Sequence, residues 1–348
     1  MSEEKRAVIR QVRAFSGLGD DECDAVLAVL RAQRGNPGDT LFREGDPGEA
    51  LMIVLDGQLV ARVRTPAGTD EEVARLGPGE VVGEMSFIDA EPRSATVSTP
   101  GGATVLTFTR AALASLKKTA PRVAGAILRN VLVDVARRLR DAGEKLSEGA
   151  PSKGVVQDAS ASQQSTRSLG IEQLRSIPAF ARYAQEDLEL LSYVATLRRF
   201  AAGSVIVKEG AEGDACFLIA TGNVAVTRAQ TKTPLATLGP GALVGQLALI
   251  DRAPRSATVT AATDVAALEV KGNAFAKLVN ASSAIALRFQ EQVALAGVRQ
   301  LREANRKMAQ TAARDSLAGS MRMLEDWEAE EGDSASLELA VDLSSRGR

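Results

Sequence analysis

Apolar and polar residues alternate over short stretches in two distant parts of the chain, as in LMIVLDGQLVARV (51–63) and FLIATGNVAVTR (217–228). Alternation of period two, interrupted by glycine-bearing turns about every 8–12 residues, predicts the short antiparallel strands of a small barrel or β-roll. Each strand-rich part gives way to a different pattern. In RAALASLKKTAPRVAGAILRNVLVDVARRLRDAGEKL (110–146), Val123, Ile127, Val131, Val135 and Leu139 stand four residues apart, one apolar stripe on a long helix. Pro121 separates this helix from a shorter one before it, because proline cannot donate to the preceding turn. Residues 273–310 repeat the arrangement, with Ile285, Phe289, Val293 and Leu301 as the stripe. Such stripes read first as core packing or as the seam of a homodimer built from the post-barrel helices.

The two parts are copies. Residues 76–97 align with 238–259 at an offset of 162, sharing LGPG, VG, ID and PRSATV, and 43–63 align with 208–228 at an offset of 165. The three-residue deletion between these blocks falls around TPAGTDEE (65–72), a turn-forming sequence suited to a surface hairpin. The chain therefore divides into a first domain at 1–146, a Ser- and Gly-rich flexible linker at 147–170, a second domain at 171–311 and an acidic tail at 312–348. In the tail Trp327 is the one large apolar anchor. Glycines 45, 57, 210 and 222 read as turn formers.

Composition narrows the chemistry. A length of 348 residues suits two domains, and a net charge of -2 supplies no basic field for nucleic acid or an anionic membrane. Cys23 and Cys216 have neither disulfide-framework nor zinc-site spacing and read as small buried hydrophobes. The chain contains no histidine, which removes Ser–His and Cys–His catalysis and imidazole metal ligation. No catalytic or metal-binding residues are expected, and the chain reads as non-enzymatic. The mixed charges of MSEEKRAVIRQVRAF form no secretory signal, and no apolar run reaches the ~18 residues needed to span a bilayer, so a cytoplasmic location is expected.

The shared phrase is GEMSFIDAEPRSATV (83–97) in the first copy and GQLALIDRAPRSATV (245–259) in the second. Gly83 and Gly245 allow a turn in which backbone N–H groups face an anion. Arg93 and Arg255 each offer a planar fork of donors to two phosphate oxygens, with the hydroxyls of Ser94 and Ser256 alongside. Glu84 supplies acceptors for a sugar hydroxyl, whereas Gln246 keeps an acceptor oxygen without the charge. Met85 and Phe87 read as core-facing.

GEMSFIDAEPRSATV, preceded by REGDPGEALMIVLDGQLV, resembles the phosphate-binding cassette of cyclic-nucleotide-binding domains. The resemblance spans about residues 15–140 and 177–300. It implies a mainly β fold with α: two tandem jelly-roll-like barrels, each followed by helices. It also implies roles: Glu84 on the ribose 2′-hydroxyl, Arg93 on the cyclic phosphate, and main-chain contacts from Met85, Ser86, Ser94 and Ala95. The second copy would use Gln246, Leu247, Ala248, Arg255, Ser256 and Ala257, and the exchange of acid for amide would weaken it about severalfold to tenfold. The tandem arrangement resembles the regulatory subunit of cAMP-dependent protein kinase more than a helix-turn-helix activator. KRAVI (5–9) lacks the paired arginines of an inhibitor sequence. The expected ligand is cAMP, with cGMP as the alternative; serine at 94 and 256 does not decide between them. No cofactor is expected. The expected function is a ligand-gated regulatory protein with a protein partner; the alternative is a scaffold whose barrels no longer bind nucleotide.

Overall fold

The computed structural model describes residues 3–12, 15, 17–65, 68–148, 162–163, 169–181, 183–229 and 234–311. Most of the linker, and the whole tail with Trp327, lie outside them. The first repeat folds into two four-stranded antiparallel sheets. One has the order Arg31–Gly35, Ala103–Thr109, Ala50–Gly57, Val81–Val82; the other runs Thr40–Phe42, Thr96–Ser98, Leu59–Arg64, Asp70–Leu76. The second repeat builds the same pair of sheets from Ala195–Phe200, Val265–Lys271, Ala215–Thr221 and Leu243–Val244, and from Val205–Val207, Thr258–Ala261, Val224–Thr227 and Ala236–Leu238. From the connecting segment, Ser162–Gln163 pairs with Arg199 and Phe200 at the edge of this second barrel.

The alternation in LMIVL divides one strand between two cores. Met52 and Val54 point into the barrel with Leu59, Val82 and Val105, while Leu51 and Ile53 join the helical core with Phe87, Leu116 and Val131. A strand buried on both faces needs apolar residues at every position, and this strand has them. The deletion between copies falls beside the hairpin joining Leu59–Arg64 to Asp70–Leu76. Glycines 45, 57, 210 and 222 all have φ between 77° and 86°, the left-handed region that turns require. Both cysteines are buried and unpaired, and burial pushes the Cys216 thiol up to about 12.

KRAVI lies within the helix Glu3–Gln11, which docks on the first domain through Ile9. The Arg6 guanidinium is held by both carboxylate oxygens of Asp24 at 2.9 and 2.5 Å. A helical, ion-paired segment does not present an extended substrate-like strand.

In the first repeat the helices Arg110–Thr119 and Pro121–Glu148 are separated at Pro121, as its chemistry predicts. The second repeat has Gly272–Asn280 and then a long helix over 284–311. The two long helices run side by side in the same direction. A Cβ on Gly125 would lie 3.4 Å from Leu287 Cδ2, and one on Gly297 would lie 2.8 Å from Val135 Cγ1, so the contacts keep the 162-residue offset. Leu287, Val298 and Leu301 share one core with Val123, Ile127 and Val135. The first stripe, read as core packing or a homodimer seam, packs within the chain, in part against the long helix of the other repeat. Ile285 corrects the predicted stripe: it is 52% exposed, whereas Phe289 and Val293 pack into the second domain's core and Leu301 into the core shared with the first long helix.

Candidate functional site

Gly83 (φ 79°) begins the short helix Glu84–Asp89, and Ala90 (φ 60°) ends it in the left-handed region. The second copy repeats this geometry with Gly245 (φ 80°), Gln246–Asp251 and Arg252 (φ 54°). Any side chain on Gly83 would collide with Arg93 Nη1, which donates to the Gly83 carbonyl at 3.1 Å. Glycine is therefore demanded both by φ and by the arginine lying against it. First-turn N–H groups have no partner within a helix and remain available to a ligand.

Arg93 is only 7% exposed, and its guanidinium stacks 4.2 Å from the centre of the Phe42 ring. Its Nε is buried with no hydrogen-bond partner. Burial pulls the guanidinium below its ordinary pKa; Glu84 opposes that shift and Arg110 adds to it. Arg110 itself donates to the carbonyls of Ser86 (2.7 Å) and Gly48 (3.0 Å), joining the short helix to the barrel. Such a buried, incompletely paired cation calls for an anion.

Glu84 is buried and accepts from Arg138 Nη1 at 2.7 Å, while Arg138 Nη2 donates to the Val81 carbonyl. A cavity of about 460 Å³ opens over this group. Of the predicted residues, Gly83, Glu84, Met85, Ser86, Arg93, Ser94 and Ala95 all line it. Met85 and Phe87 are core-facing as expected, but Met85 Sδ also accepts from Ser94 Oγ at 3.2 Å. The cavity's far wall comes from both long helices, including Arg138 and Asp141 of the first and Leu301, Asn305 and Met308 of the second.

The second copy keeps the frame and changes the contents. Arg255, 6% exposed, donates to the carbonyls of Gly245 (2.5 Å) and Ala215 (2.7 Å) and to Asp214 at 3.4 Å. Burial again lowers its pKa, opposed here by Asp214. Gln246 Nε2 donates to Gln300 Oε1 at 3.0 Å, and Gln300 Nε2 donates to the Leu243 carbonyl at 2.5 Å. The nearby cavity is only about 130 Å³; Leu247, Ser256 and Ala257 line it, but Gly245, Gln246 and Arg255 do not. Ala248 packs under Gly213, where a Cβ would meet it at 2.6 Å.

Sequence reasoning passed over Phe42, Arg110, Arg138 and Gln300. A signal for the last two was present. The 162-residue offset runs on through the long helices, so Arg138 and Gln300 are equivalent, and they change together with Glu84 and Gln246.

The profile of the cyclic nucleotide-binding domain matches residues 33–120 and 197–282, together half of the chain. The chain belongs to the cyclic nucleotide-binding domain family and carries two copies of that domain. It is similar, at 26% identity over 76% of its length, to a cAMP-dependent protein kinase regulatory subunit of Aspergillus fumigatus, of which 56% is covered. It is also similar, at 36% identity over 38% of its length, to the cyclic AMP receptor protein of Thermus thermophilus, of which 59% is covered. The chain spans about half the length of the curated kinase regulatory subunits it matches. A solved structure of the regulatory domain of Toxoplasma gondii PKA with cAMP aligns over 83% of this chain and 96% of that one, at 19% identity and a TM-score of 0.31. Among the described residues no helix is long and apolar enough to cross a membrane.

Proposed function

We propose that the protein is a non-catalytic cAMP receptor whose first cassette is the principal site and whose long helices carry the response to a protein partner. The observation that carries the reading is Arg93: a buried guanidinium with an unpartnered Nε beside an intact acid, under a cavity of about 460 Å³. A cyclic phosphate would complete the arginine's hydrogen bonding, and a ribose hydroxyl would donate to Glu84. Serine, alanine and short-helix backbone groups supply the remaining donors. The names of the relatives, which are cAMP-dependent or cAMP receptor proteins, support cAMP over cGMP. The second cassette is the weaker site, because its acid is an amide and its arginine already has three acceptors. Ligand can shift a partner-binding equilibrium only by its difference in affinity for the two helix arrangements. Isothermal titration of the full chain with cAMP and cGMP, beside Arg93→Ala, tests the reading. Saturable cAMP binding lost in the folded variant is expected. Undiminished binding in that variant, or none in the wild-type chain, overturns it.

A further inference from the structure

Each long helix touches both cassettes. In the first, Arg138 holds Glu84 of its own cassette, while Arg140, two residues on, holds both carboxylate oxygens of Asp251 in the other, Nη2 to Oδ1 at 2.9 Å. In the second, Gln300 holds Gln246 of its own cassette, while Arg302 holds both oxygens of Asp89 in the other at 2.5 and 3.0 Å. Arg302 also donates to the Pro92 carbonyl at 3.0 Å, next to Arg93. All eight residues obey the 162-residue offset: 84 with 246, 89 with 251, 138 with 300, 140 with 302. Following the links gives a closed ring from first cassette to first helix, second cassette, second helix and back.

The crossing pairs are well shielded. Arg302 and Asp89 are 19% and 3% exposed, and Arg140 and Asp251 are 20% and 19%. Both are two-point contacts between a rigid fork and a carboxylate, which fix orientation as well as distance. Neither Arg140, Asp251, Arg302 nor Asp89 lines the first cavity. Arg138 and the first turn of the short helix do.

We propose that Asp251 and Arg302, both in the second repeat, are positioning residues for ligand binding in the first cavity: Asp251 sets the helix that aims Arg138 at Glu84, and Arg302 sets the short helix Glu84–Asp89. The inference rests on the reading of the first cassette as a cyclic-nucleotide site. Its physical basis is preorganisation, since a Glu84 held in place loses less freedom when a ribose hydroxyl binds. The second repeat thus serves the first site whether or not its own cassette is filled.

The test is titration of the full chain with cAMP, using Arg93→Ala to identify the heat belonging to the first cavity, with a thermal melt of each variant. Asp251→Asn and Arg302→Gln should each weaken that binding about three- to tenfold, the scale of coupling between linked residues. The charge exchange Arg140→Asp with Asp251→Arg should bring it back to within about twofold of the wild type, a recovery that a general loss of packing would not allow. Unchanged affinity in the two single variants overturns the proposal, and so does a lowered melting temperature with affinity intact. A folded exchange variant that stays weak overturns it too. Wild-type protein that binds no cyclic nucleotide instead overturns the receptor reading on which the proposal stands.

Discussion

The two cassettes share a backbone almost turn for turn and differ in how their charges are paired. In the first, a buried carboxylate meets the guanidinium of Arg138; in the second, both members of the pair are carboxamides. Losing only the acid would have left a guanidinium beside a neutral group, and breaking a buried pair from one side costs about 3–5 kcal/mol. Replacing both members avoids that penalty. Gln246 is therefore not isolated decay: Gln300 accompanies it, and the second cassette is a coherent neutral version of the first. The same comparison holds at the arginines. Arg93 keeps a buried, unpartnered Nε beneath an open cavity, whereas Arg255 is spent on two carbonyls and Asp214.

The largest effect expected from this difference is at the arginines. On the proposed binding mode Arg93→Ala would remove two charge-assisted bonds to a phosphate, each about 1.5–3 kcal/mol, so titration should record at least about a hundredfold loss at the first site. Its protein partners are few, so the melting profile should keep a single cooperative transition. Arg255→Ala should leave the first-site affinity within about threefold. If the two variants instead lose binding equally, the functional asymmetry between cassettes is gone.

The repeat made most of the fold legible in sequence. Strand alternation, turn glycines and Pro121 each have a local cause, so the barrels and the break between helices could be read residue by residue. The two cassette arginines, which the structure buries against the Gly83 and Gly245 turns, were legible because the phrase that carries them is contiguous. Arg138 was not, since it reaches Glu84 across 54 positions of sequence and on a helix whose stripe advertised only packing. Ile285 was misread because the four-residue step carried the stripe back into the first turn of the helix, where the side chain is exposed. Phe42 looked like any apolar strand residue; its place under Arg93 depends on the long-range pairing of Thr40–Phe42 with Thr96–Ser98 in one sheet.

Next in size is the acid and its partner. Glu84→Gln should weaken cAMP at the first site about tenfold, part of it from the weaker acceptor and part from an Arg138 left facing an amide. Adding Arg138→Gln builds in the first cassette the pair that the second already has. The double variant should recover a share of the loss and leave a severalfold deficit, with a coupling in the double-mutant cycle of about 0.5–3 kcal/mol. Strict additivity would mean that the two residues do not act as a pair.

The reverse exchange is expected to give a smaller change. Gln246→Glu with Gln300→Arg should strengthen nucleotide binding at the second site about three- to fivefold by restoring the charged acceptor. The gain is limited because Arg255 remains engaged with carbonyls and the cavity there is only about 130 Å³. Gln246→Glu alone should lower the melting temperature, since it places a carboxylate in a buried position without the guanidinium that Arg138 gives Glu84. A single variant as stable as the pair would show that Gln300 has no part in the arrangement.

The smallest effect separates the two ways in which Arg255 is satisfied. Its carbonyl partners are fixed by the fold, but Asp214 is 94% exposed and lies 3.4 Å from Nη2. An ion pair with one member so exposed is screened by water and is worth at most about 1 kcal/mol. Asp214→Asn should therefore raise second-site affinity for cAMP by no more than about fivefold, with the increase fading at high salt. A much larger rise would identify Asp214 as the group that keeps the second cassette weak, and the explanation would move from the amide pair to a surface carboxylate competing with the phosphate. No change at all would leave the two carbonyls and the neutral Gln246–Gln300 pair as the whole difference between the sites.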